Sequence, residues 1–196
     1  MRVDLTSAVR FDLPQGAVHT TASGLEGVGD ERAVLVPVSV LVDALSSAPR
    51  DTREHLARAM GTAIGRRAAA RFGGFDGVRT ADVASVVQSL AAEVALAGFG
   101  VLALERWGKA LVLVLEAAPS FGSPFFAPLL EASLGAATAW ATRASLVCTH
   151  LEDQDGARFL VASAGASDRV RRSMSSGVPW VEAIRRLQGD GGSGDR

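Results

Sequence analysis

Two kinds of apolar pattern alternate along the chain. Residues 101–105 ("VLALE") and 110–116 ("ALVLVLE") are short apolar runs on either side of Trp107–Gly108, and 145–152 and 157–165 repeat the arrangement around "DQDG". Two such runs joined by a short polar or glycine-bearing break predict a β-hairpin. In the run 110–116, Leu111, Leu113 and Leu115 alternate with Val112 and Val114. Both faces of that strand are therefore apolar, and it must be covered on both sides. Between the hairpins, residues 124–142 carry one charge, Glu131. A helix that is apolar all round must be buried all round, which implies a central position or contact with a second subunit.

Upstream the period is helical. "VLVPVSVLVDALSSAP" (34–49) predicts a helix with Pro37 in its first turn, although its valines also suit a strand. A second helix is predicted from Asp51, where Glu54 completes a capping box, and Gly73–Gly74 ends it. Its apolar stripe is Leu56, Met60, Ile64 and Ala68, widened by Ala59 and Ala63. A third runs from Thr80 as cap to Gly98, with Val83, Val87, Leu90, Val94 and Ala97 as its buried face. Short helices follow the second hairpin at Asp168–Ser176 and Pro179–Leu187. Residues 1–33 read as an arm: "VRFDL" and "GAVHTTAS" suit short strands, and "SGLEGVGDE" suits a loop.

The organisation predicted is an arm at 1–33, one domain at 34–188 and a flexible tail at 189–196. The fold class is α+β, a mainly antiparallel four-stranded sheet from two hairpins with helices packed on one side.

Composition narrows the chemistry. With 48% hydrophobic residues and a formal net charge of −1, the 196-residue chain is apolar enough for a core. Its charge balance gives no reason to expect a nucleic-acid partner. The first twenty residues lack an unbroken apolar stretch of the signal-peptide kind. Pro124, Pro128, Glu131 and Gly135 interrupt the most apolar segment, so no membrane span is expected and a cytoplasmic location is.

A single cysteine, Cys148, allows no intrachain disulfide. His150 shares a strand face with it, but a stable zinc site needs at least three ligands, and His19 and His55 lie far off in sequence. No metal or cofactor is expected. "GTAIGRR" (61–67) lacks the lysine and spacing of a phosphate loop; Gly61 and Gly65, four apart, instead let a neighbouring helix approach closely. Arg66, Arg67 and Arg71, near the end of that helix, form a candidate patch for an anion or acidic partner. No G-x-S-x-G or dinucleotide turn occurs, and no residue is assigned a catalytic role. Trp107, Phe121, Phe125, Phe126 and Trp140 gather around the first hairpin and the apolar helix. With Leu130 they are candidates for an interface or an apolar ligand pocket. Trp107, in a turn beside Gly108, is the residue that most suggests a partner.

The segment 122–165, "GSPFFAPLLEASLGAATAWATRASLVCTHLEDQDGARFLVASAG", and the upstream "MGTAIGRRAAARFGG" resemble the 4-vinyl reductase domain family. In that family a Ser-Pro, a helix of small residues and a hairpin with a glycine turn follow in this order. The resemblance implies a fold shared with TRAPP subunits of vesicle tethering, and a ligand-sensing or interaction module. The chain departs from the family at Phe125–Phe126, where a cysteine is typical, and in the isolation of Cys148. The expected function is a non-enzymatic protein-interaction or scaffold module, a homodimer within a larger assembly with an unknown protein partner. The alternative is a sensor that binds an apolar small molecule beside helix 124–142.

Overall fold

The alternation in Ala110–Glu116 makes that segment the middle strand of a sheet. In the computed structural model the described residues are 2–3, 18–21, 24–27, 32–33, 36–138, 146–152 and 156–189. The elements are β1 (Arg2–Val3), β2 (Val18–Thr21), β3 (Gly24–Gly27), β4 (Arg32–Ala33), α1 (Val38–Ser46), α2 (Arg50–Ala70), α3 (Phe75–Thr80) and α4 (Val83–Leu96). There follow β5 (Val101–Trp107), β6 (Ala110–Glu116), α5 (Ser123–Thr138), β7 (Leu146–Glu152), β8 (Ala157–Ser163), α6 (Ala164–Ser175) and α7 (Trp180–Gly189). The two predicted hairpins form a four-stranded antiparallel sheet, and β1 adds a fifth strand at its edge, in the order β1-β5-β6-β8-β7. Trp107 pairs with Ala110, so it ends β5 and leaves Gly108–Lys109 as the turn. Gly108 has φ +60°, the backbone a two-residue hairpin turn demands.

The predicted arm is partly sheet. β2, β3 and β4 pair antiparallel, and β3 lies where a loop was expected. The predicted strand "VRFDL" lies outside the described residues.

Helices cover both faces of the large sheet, not one. Leu113 and Leu115 join Leu102 and Leu104 in a core beneath α2, α4 and α5. Val112 and Val114 join Ala103, Leu151 and Leu160 in a second core under Val170 of α6 and Ala183 and Ile184 of α7. The two apolar faces of β6 required this; the two C-terminal helices are the missing cover.

Several helix starts differ from the predicted ones. α2 begins at Arg50 behind Pro49 with no side-chain cap, and Glu54 pairs with Arg58 at 3.0 Å, one turn on. Pro49 has already set the entry, so the Asp51 box has no terminus to close. The stripe of α2 is buried at Ala57, Gly61, Ile64, Gly65 and Ala68, whereas Ala59 is exposed. Thr80 closes the short α3, and Asp82 caps α4 by accepting from the Ser85 N–H at 2.9 Å. Val83, first in that helix, is exposed instead of buried; the inner face is Val86, Val87, Leu90 and Val94. α6 begins at Ala164 behind the Ser163 cap, earlier than Asp168. α5 is described to Thr138, so the last residues of the predicted helix, Trp140 among them, lie outside the described residues.

The apolar perimeter of α5 is closed by its own chain. Phe125, Phe126, Leu129, Leu130, Leu134 and Ala137 are buried, with Pro124 and Gly135 left exposed. The helix packs along α2 and also meets α3, α4 and β7, so its composition does not require a second subunit. The glycine reading holds: a Cβ at Gly61 would land on the Leu129 carbonyl oxygen, and one at Gly65 on that of Ser133. Only glycine allows the α2 backbone this close to α5. No helix among the described residues is long and apolar enough to cross a membrane.

Candidate functional site

The three candidate arginines separate on folding. Arg66 is exposed and forms no ion pair among the described residues. Arg67 in the last turn of α2 and Arg71 just after its end both turn toward Glu93 of α4. The Arg67 Nε lies 2.7 Å from Glu93 Oε2 and the Arg71 Nη2 2.6 Å from Oε1. Glu93 is fully buried, and these two charge-assisted bonds offset the cost of desolvating its carboxylate. The expected patch is therefore mainly a clamp between α2 and α4.

The aromatics divide likewise. Phe121 stacks on Phe125 with centroids 4.4 Å apart, and Phe99 meets Phe125 at 5.8 Å and Phe126 at 6.2 Å. Phe125, Phe126 and Leu130 are buried in the α-side core. Those rings pack against one another beside α5. Trp107 stays 37% exposed, yet its ring meets Trp180 of α7 edge-on at 5.0 Å. Its indole N–H donates to Glu105 Oε2 at 3.0 Å, and its carbonyl accepts from the Gln188 amide. Glu105 in turn pairs with Arg158 of β8 at 3.4 Å, so the hairpin tip is fastened from within the chain.

Cys148 and His150 stand two apart on β7. The Cys148 thiol is buried, and burial first, then the charge of Glu131, holds its pKa far above the ordinary thiol value. A thiol held neutral is a poor nucleophile and ligand. His150 lies beside the Phe159 ring at 5.6 Å. Glu131, the single charge on α5, pairs with Arg58 of α2 at 3.1 Å and accepts from the Cys148 N–H on edge strand β7 at 3.4 Å. Among the described residues, no three His, Cys, Asp or Glu side chains are grouped to hold a metal ion.

What the sequence pattern did not single out is the surface of α1. Only Leu45 of this apolar helix is buried, with Leu41 half-buried against the same core. Val40 is 54% exposed and Val36, just ahead of the helix, 51%. Val38 lies against Gly98, which sets α1 beside the end of α4, where Leu96 is also exposed. The signal was present in the valines of 34–49, apolar on more faces than one core contact uses. The sequence matches no family model and no curated protein.

Proposed function

We propose that the chain is a non-enzymatic protein-interaction module that self-associates through α1 as a homodimer within a larger assembly. The observation that carries this reading is the exposure of Val40 on an apolar helix with one buried residue, and of Val36 just ahead of it. Moving a half-exposed valine into a contact gains about 1 kcal/mol, and a two-fold contact counts each side chain twice. Kinship with 4-vinyl reductase domains belongs to the same proposal. It is supported by the order of a glycine-bearing helix, a hairpin, a helix of small residues and a second hairpin.

Light scattering tests the reading. Wild-type protein is expected to give a mass near twice 20.3 kDa at high concentration. Val40→Asp is expected to return it to a single chain whose urea midpoint matches that of dilute, dissociated wild type, since the side chain is mostly outside the core. A wild-type monomer at every concentration would overturn the proposal.

A further inference from the structure

A cleft of about 340 Å³ opens between α6 and α7, on the face of the sheet opposite α1. Arg169, Arg172, Ser173 and Ser176 line one wall, spaced as a single stripe of α6. Arg186 faces them from α7, and Ala183 and Leu187 form the floor. Where two helices of a hairpin face each other, apolar side chains are expected to close the seam. Here Val170, Met174, Ala183, Ile184 and Leu187 pack into the core, and guanidinium and hydroxyl groups line the cleft beside them.

These positive charges are weakly compensated. Between Ala164 and Gly189 there are five arginines against Asp168 and Glu182, in a chain of net charge −1. Glu182 is shared by Arg185 at 2.7 Å and Arg186 at 3.3 Å, both at the surface. Asp168 pairs with Arg171, outside the cleft, at 2.6 Å. Arg172 donates to a backbone carbonyl, and Arg169 forms no ion pair among the described residues. The dipole at the C-terminal end of α6 accounts for a cation in its last turn, Arg172. The dipole of α7 likewise accounts for Arg186 in its last turn, but neither dipole accounts for Arg169, a turn ahead of Arg172.

We infer that this cleft binds a phosphate-bearing small ligand, its phosphate oxygens held by Arg169, Arg172 and Arg186 and by the hydroxyl of Ser173. The planar guanidinium fork matches phosphate oxygens in pairs, and a dianionic phosphate balances the excess charge. The volume suits a small phosphorylated molecule. This site does not depend on self-association through α1.

Isothermal titration with inorganic pyrophosphate tests it, beside sulfate as a control. Saturable binding at one per chain is expected, weakened about tenfold or more in Arg172→Gln and Arg186→Gln, the loss of a charge-assisted bond. Arg171→Gln, which alters the same net charge outside the cleft, is expected to bind as wild type. Unchanged thermal midpoints would show that the variants fold. Competition by phosphatidylcholine vesicles containing phosphatidic acid, but not by vesicles without it, would assign the phosphate to a lipid headgroup. Lack of competition would assign it to a free ester. Absence of saturable pyrophosphate binding, equal binding of sulfate, or equal weakening by Arg171→Gln would overturn the inference.

Discussion

Glu93 is a carboxylate with no exposure to water, and Arg67 and Arg71 are the two groups that neutralise it. The partners are unequal, because both arginines reach the surface and Glu93 does not. Removing both guanidiniums strands a buried charge, expected to cost about 3–5 kcal/mol. Glu93→Gln leaves two arginines that water can solvate, so a smaller loss of about 1–3 kcal/mol is expected. Urea unfolding of Arg67→Ala/Arg71→Ala beside Glu93→Gln would show the order; the reverse order would contradict the clamp. Trp107 is a similar case of a side chain with an internal task. Trp107→Ala is expected to lower stability by about 1–3 kcal/mol through the lost Trp180 contact, with self-association unaltered. Weakened association at full stability would return Trp107 to an interface role.

Cys148 gives a pH-dependent expectation at the same scale. Its pKa is raised in the folded chain, so folding favours the neutral thiol, and this preference costs nothing while the unfolded thiol is also neutral. Above about pH 8.5 the unfolded thiol ionises and stability falls as pH rises. A thiol-specific reagent at pH 8 should label native protein slowly and urea-unfolded protein at once; rapid native labelling would contradict the burial. The arginine patch was visible in sequence as charge, but its partner lies on another helix and leaves no local mark.

Among the elements, the α2–α5 pair was the most legible. Gly61 and Gly65 stand four apart on a helix, and the small residues of α5 supply the matching surface. Alanine normally favours a helix over glycine by about 1 kcal/mol. Here Gly65→Ala is expected to destabilise by about 1–3 kcal/mol, because the methyl meets the Ser133 carbonyl and the helices must separate. A stabilised Gly65→Ala variant in urea would contradict that packing. Helix starts were less legible. A capping box at Asp51 and a threonine at Thr80 satisfy local rules, yet Pro49 and Asp82 begin the helices. Local capping patterns identify sites able to cap, and the tertiary path chooses among them.

For the molecule as a whole, the sheet and its two hairpins followed from alternation, and the two apolar faces of β6 stated that cover was needed on both sides. The second cover was missed because α6 and α7 are short and rich in arginine, with few apolar positions turned inward: Val170, Ala183 and Ile184 among them. Of the two positions the sequence left open for α5, central or against a second subunit, the structure shows the central one. α5 is enclosed by its own chain, whereas Val40 of α1 and Val36 just ahead of it stay exposed. Self-association through α1 is the central claim, and amide hydrogen exchange across a range of protein concentrations tests it most directly. Residues 36–46 are expected to gain protection as concentration rises, while α7 and the Trp107–Gly108 hairpin tip stay unchanged. Protection of α1 that is independent of concentration, or a gain confined to the hairpin tip, would contradict it.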